Sequence, residues 1–234
     1  MSLRIAPTEV KAVFFDLDGT LIDTDDVMIE RAARWLQPLA RLFPRGDPKR
    51  VLRQAIMASE GPTNAFLTFM DILGLDDQLF ALGDRLRRLR GLRTPANFQP
   101  VDGVVEAVRE LSGRYPLGIV TTRSRRDAQT FLEQYALADC FSAVVTHEDT
   151  WRLKPHPEPI RYAAGQLGVD VERCLMVGDT GLDVRAAKAA GAWAVGVLCG
   201  FGERGDLAGA DLILENTAEL GEWLKENLLG PLSL

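Results

Sequence analysis

At 234 residues, 47% apolar and 26% charged, the chain has the composition of an ordinary globular protein, long enough to bury a core without disulfides or structural metal. A formal net charge of −6 argues against a nucleic-acid partner, which would want a basic face. No window approaches the roughly 18–20 apolar residues of a membrane span and no leader pattern opens the chain, so a soluble cytoplasmic protein without a membrane partner is expected.

The first element is the run KAVFF, which ends in two carboxylates, Asp16 and Asp18, one leucine apart, followed by a Gly19-Thr20 turn. The next stretch is helical in pattern throughout: DVMIERAARWLQPLARLF, KRVLRQAIMASE, NAFLTFMDILGL and QLFALGDRLRRLRGLR, with turn signals at PRGDP, EGP and GLDD. An all-helical domain over 22–97 is therefore predicted as an insertion into a core built from 1–21 and 98–234. The chain returns through RTPANFQPVDG, and amphipathic GVVEAVRELSGRY leads to the strand LGIVT (117–121). DAQTFLEQYAL leads to SAVVT (142–146), PIRYAAGQLGV to CLMVG (174–178), and GLDVRAAKAAG to AVGVL (194–198). DLILEN then precedes a last helix, AELGEWLKENLL. Short continuous apolar runs alternating with helices indicate an α/β fold, a parallel sheet covered on both faces. Such sheets bind ligands beyond the carboxyl ends of their strands, near the switch in strand order.

Polar, reactive residues fall at those ends: Asp16 and Asp18 after the first strand, Thr121 after the second, Lys154 in RLKPHPEP after the third, Asp179 and then Asp183 in VGDTGLD after the fourth. Phosphoryl transfer wants this set. Residues i and i+2 of an extended segment point the same way, so Asp16 and Asp18 can face one substrate. Magnesium takes one or two carboxylates, with water and phosphate completing its shell, and Asp16 and Asp179 can supply them. A carboxylate is also a competent nucleophile toward phosphorus, and a second acid can protonate the leaving oxygen and then deprotonate water. Thr121 and Lys154 can hold and neutralise the phosphoryl oxygens.

DLDGTLID, VTT, KPHPEP and VGDTGLDVRAAKAAG, in this order, resemble the four signature motifs of the haloacid dehalogenase-like (HAD) superfamily. The resemblance spans about Lys11 to Leu214. It implies a Rossmann-like doubly wound core with an inserted all-helical cap, similar to the phosphoglycolate phosphatase and β-phosphoglucomutase branch. It implies Asp16 as nucleophile and Asp18 as general acid/base, with the Asp18 backbone carbonyl also on Mg2+. Thr121 and Lys154 become phosphoryl binders, Asp179 a metal ligand and Asp183 a support of the metal shell. Close relatives usually carry Asn after the second-motif Thr; here Thr122 places a hydroxyl at that substrate-binding position. Dehalogenases of the superfamily lack the second acid, so Asp18 points away from carbon–halogen chemistry. The β-phosphoglucomutases place a histidine in the first cap helix, where this chain has Met28.

The reading that follows is a magnesium-dependent phosphatase of a small phosphorylated metabolite, phosphoglycolate-like or a sugar phosphate, acting through an aspartyl-phosphate as monomer or homodimer. Two alternatives stay open: a phosphomutase of the β-phosphoglucomutase type, and a non-catalytic phospho-signalling module. Other patterns read as structure. DLDGTLIDTDD fails as a calcium loop because its glycine comes too early and Val27 stands where the final Glu belongs. Arg85, Arg87, Arg88, Arg90 and Arg93 read as a solvated helix face, and GFGERGD as a loop. His147 and His156 are too isolated for a metal cluster, and Cys140, Cys174 and Cys199 read as reduced thiols. Trp35, Phe66 and Phe69 suit either cap core or an interface.

Overall fold

The computed structural model describes residues 5, 7–23 and 98–228. The helices expected within 22–97, with Met28, Trp35, Phe66, Phe69 and the arginines from Arg85 to Arg93, lie outside the described residues. The chain divides into two compact units, Met1–Thr24 with Gln99–Leu234, and Asp25–Phe98.

Six parallel strands form the sheet of the first unit: β1 (Ala12–Phe15), β2 (Leu117–Val120), β3 (Phe141–Val145), β4 (Cys174–Gly178), β5 (Trp193–Val197) and β6 (Leu212–Leu214), in the order β3-β2-β1-β4-β5-β6. Between them run α1 (Val104–Ser112), α2 (Arg125–Gln134), α3 (Glu158–Leu167) and α4 (Gly181–Ala190), and α5 (Glu219–Leu228) follows β6. From β1 the chain moves outward one way through α1 and α2, then crosses back and moves the other way through α3 and α4. Right-handed crossovers therefore put these two pairs on opposite faces, and α5 packs beside α1. The sheet is the Rossmann-like doubly wound core that the sequence implies.

Every residue of β1, β2 and β4 is buried, as expected of central strands covered on both faces. Ala12, Phe14, Cys174, Met176 and Ala194 form one layer with Ile160, Ala163 and Ala164 of α3 and Ala186, Ala187 and Ala190 of α4. Their alternates Val13, Phe15, Leu175 and Val177, fully buried as well, turn to the other face by the pleat. Phe14 pairs in register with Gly118, where a Cβ would come within 2.7 Å of its ring. The glycine in LGIV is thus the space that Phe14 fills.

β3 and β5 begin one residue earlier than the apolar runs suggested, because Phe141 pairs with Leu117 and Trp193 with Leu175. Ladder pairing, not apolar length, sets those bounds. The chain leaving β1 runs beside the returning segment, Asp23 N–H donating to the Gln99 carbonyl (2.8 Å) and Val101 N–H to that of Leu21 (3.0 Å). Cys140, Cys174 and Cys199 are free thiols, and burial pushes that of Cys174 up to about 12. Among the described residues no helix is long and apolar enough to cross a membrane.

Candidate active site

β1 lies between β2 and β4, so the switch in strand order opens a crevice at its carboxyl end. Asp16 is the first residue past β1, and its N–H still donates to the Val177 carbonyl (2.9 Å), which fixes its direction against β4. The chain then turns tightly: the N–H groups of Leu21 and Ile22 both donate to the Leu17 carbonyl (2.9 and 2.7 Å). Gly19 makes that turn possible at φ +68°, and a Cβ there would overlap the Asp179 carboxylate. The glycine of DLDGT is required twice, by conformation and by space.

Asp179 is the first residue past β4 and is fully buried. It accepts from the Phe201 N–H (2.7 Å) and, more distantly, from the Thr20 hydroxyl (3.4 Å). Asp183 sits in the first turn of α4 and forms a capping box with Thr180, whose N–H and hydroxyl donate to its Oδ2 at 3.1 and 2.7 Å. Its other oxygen accepts from Lys154 Nζ at 2.6 Å, and the same ammonium stands 2.9 Å from Asp16 Oδ1. Lys154 is 5% exposed and belongs to the loop before α3. Its long side chain joins the first and fourth motifs.

One oxygen from each of Asp16, Asp179 and Asp183 lies within 4.8 Å of the others. Three buried carboxylates facing one ammonium leave two negative charges uncompensated, and this donor set fits a hard dication with oxygen ligands. The titration behaviour agrees. Burial, with repulsion from Asp183 and Asp18, raises Asp16 to about 7 despite the pull of Lys154. Burial, then Asp183 and Asp16, raises Asp179 well above the usual carboxylate range. Burial by itself would lower Lys154, yet Asp16 and Asp183 hold it above the ordinary lysine value.

Thr121 lies just past β2, is buried, and its hydroxyl accepts from the Arg123 N–H (3.1 Å). Thr122 beside it is exposed. Asp18 is half-buried at the mouth of the crevice and engages Arg123 with both oxygens: Nε reaches Oδ2 at 2.6 Å and Nη2 reaches Oδ1 at 2.5 Å. Sequence reasoning missed Arg123. The available signal was a cation following a strand-end threonine; its partner is set by tertiary structure alone. His156 stays beside its chain neighbours, its Nδ1 accepting from the Glu158 N–H (3.2 Å) and its Nε2 lying 2.9 Å from Arg152 Nη1. The set can hold a divalent cation, offer a buried carboxylate nucleophile, and place a second carboxylate two residues away.

Residues 13–197 match the family described as haloacid dehalogenase-like hydrolase. Curated relatives include the pyrophosphatase PpaX of Anoxybacillus flavithermus, 32% identical over 90% of this chain and 95% of its own. The phosphoglycolate phosphatase of Chromobacterium violaceum is 32% identical over 92% of this chain and 97% of its own. Among solved structures, a hydrolase from Pseudomonas syringae aligns with a TM-score of 0.64 at 27% identity, covering 92% of this chain and 98% of its own.

Proposed function

Because the chain belongs to the haloacid dehalogenase-like hydrolase family, we propose that it is a magnesium-dependent phosphatase of small phosphorylated metabolites. The observation that carries this reading is the Asp16 carboxylate, buried beside Lys154 and within a three-carboxylate cluster, with Asp18 two residues on. Mg2+ held by the carboxylates of Asp16 and Asp179 and the Asp18 carbonyl, with Asp183 behind them, would supply neutralisation of the phosphoryl oxygens.

Asp16 attacks phosphorus, the bond from phosphorus to the leaving oxygen breaks, and that oxygen takes the proton of the Asp18 carboxyl. Water then attacks the aspartyl-phosphate and gives its proton to the Asp18 carboxylate. The bond from phosphorus to Asp16 breaks, and both acids return to their starting forms. Lys154 pulls Asp16 toward its ionised form against the effect of burial and offers its ammonium to the transferring group. The Thr121 hydroxyl uses a lone pair on the Arg123 N–H, which leaves its proton for a phosphoryl oxygen. Thr122, exposed one residue past Thr121, contributes a polar contact to the substrate.

The groups of the core are all suited to the phosphoryl end of a substrate, so specificity falls to the 22–97 insertion. The names of the relatives support phosphoglycolate-like monoesters and pyrophosphate as first substrates, with sugar phosphates next. A screen of these compounds with Mg2+, reading phosphate release, finds the substrate. Asp16→Asn then abolishes turnover, and near-normal rates in that variant would sink the assignment. Isotope-labelled water separates hydrolysis, which puts label into released phosphate, from a mutase, which rearranges substrate without label.

A further inference from the structure

We infer that Arg123 is a positioning residue for Asp18, clamping the proton-transferring carboxylate in the orientation that serves the phosphoryl group; this rests on the phosphatase reading. Both oxygens of Asp18 are gripped by the fork, Nε to Oδ2 at 2.6 Å and Nη2 to Oδ1 at 2.5 Å. A bidentate guanidinium fixes the plane and tilt of a carboxylate, as a single hydrogen bond does not. Asp18 needs such a hold, since its side chain is 27% exposed, whereas Asp16 and Asp183 are locked by burial and by Lys154.

Arg123 is itself held from several sides. Its N–H donates to the Thr121 hydroxyl (3.1 Å), and its carbonyl lies 3.1 Å from His147 Nδ1. The side chain is only 18% exposed. The loop after β2 therefore does two things with consecutive residues: Thr121 faces the phosphoryl oxygens, and Arg123 reaches back to the acid on the loop after β1. A misplacement of a catalytic group by about 1 Å can cost on the order of a hundredfold in rate.

The test uses p-nitrophenyl phosphate, whose nitrophenolate leaves without needing a proton. The initial burst of nitrophenolate reports attack by Asp16, and the steady rate reports hydrolysis of the aspartyl-phosphate, in which Asp18 takes the proton from water. In Arg123→Gln the burst rate stays within about threefold of the natural enzyme. Its steady rate falls roughly ten- to a hundredfold, part of the range general acid–base catalysis spans. In an Asp18→Asn background the same change has no further effect, because Arg123 acts through Asp18. Loss of burst and steady rate together, no loss in either, or a further loss on top of Asp18→Asn overturns the assignment. Arg123→Lys is read in the same way if Arg123→Gln melts below the assay temperature. Asp16→Asn separates the two claims: with no burst and no turnover there, the phosphatase reading stands and only Arg123 is on trial. A burst in that variant overturns both.

Discussion

Lys154 sets one ammonium against two of the three buried carboxylates of the cluster. Its ammonium lies 2.9 Å from Asp16 and 2.6 Å from Asp183, with almost no exposure. Breaking a buried pair by removing one partner typically costs roughly 3–5 kcal/mol, because the remaining charge is stranded. Lys154→Met is therefore expected to lower the melting temperature and to cut kcat by roughly 10²–10³, as loss of one preorganised donor does. The direction of a pH effect follows too. Lys154 lowers the Asp16 pKa, so its removal raises it, and the acidic limb of the rate profile moves to higher pH. A pH–rate profile of both proteins checks this, and a limb that stays put or moves down would refute it.

At the scale of elements, two glycines that look alike in sequence behave differently. Gly168 closes α3 at φ +64° with nothing within 4 Å of a Cβ placed there. Gly168→Ala meets only the left-handed backbone penalty, about 1–2 kcal/mol, and the melting temperature drops while activity is kept. Gly178 ends β4, where an added Cβ would overlap the Asp183 side chain. Gly178→Ala pushes the carboxylate that anchors both the α4 capping box and Lys154, so activity falls at least tenfold by analogy with other misplaced catalytic geometry. Equal activity loss in the two variants, read by a kinetic assay beside a melting curve, would contradict this distinction. The strand-to-helix junctions were legible in sequence because apolar runs and helical periodicity are local signals. Which glycine guards the site was not, since that depends on what lies across the junction.

For the molecule as a whole, the unbalanced charge links stability to pH and to metal. Asp16 is raised from 3.8 to about 7, and Asp179 is raised as well. A carboxyl whose folded pKa exceeds its unfolded value lends stability that is complete below the unfolded value and is lost as pH rises through the folded one. The metal-free protein is thus expected to lose stability between about pH 4 and 7 from Asp16, with Asp179 acting in the same direction. A dication compensates the charge that ionisation creates. Mg2+ is expected to raise the melting temperature more at about pH 8 than at about pH 5.5, since it competes with fewer protons there. At a hundredfold excess over its dissociation constant the gain is about 2.7 kcal/mol. Thermal melts with and without Mg2+ at the two pH values decide it; an equal or absent shift would remove the cluster as a cation site.

The sequence by itself determined the elements of the sheet and where the reactive side chains fall along them. Continuous apolar runs of central strands, helical periodicity between them, and reactive side chains where the runs stop are all local patterns. They place Asp16, Thr121 and Asp179 at strand ends, and Lys154 in the loop after the third strand, without any knowledge of strand order. Only the tertiary structure decided which ends meet. Setting β1 between β2 and β4 brings Asp16 beside Lys154 and Asp183, and turns Arg123 onto Asp18 across 105 residues of sequence. Local pattern specifies where a chain stops being buried, but partners so far apart in sequence are chosen by the crossovers that fold the sheet.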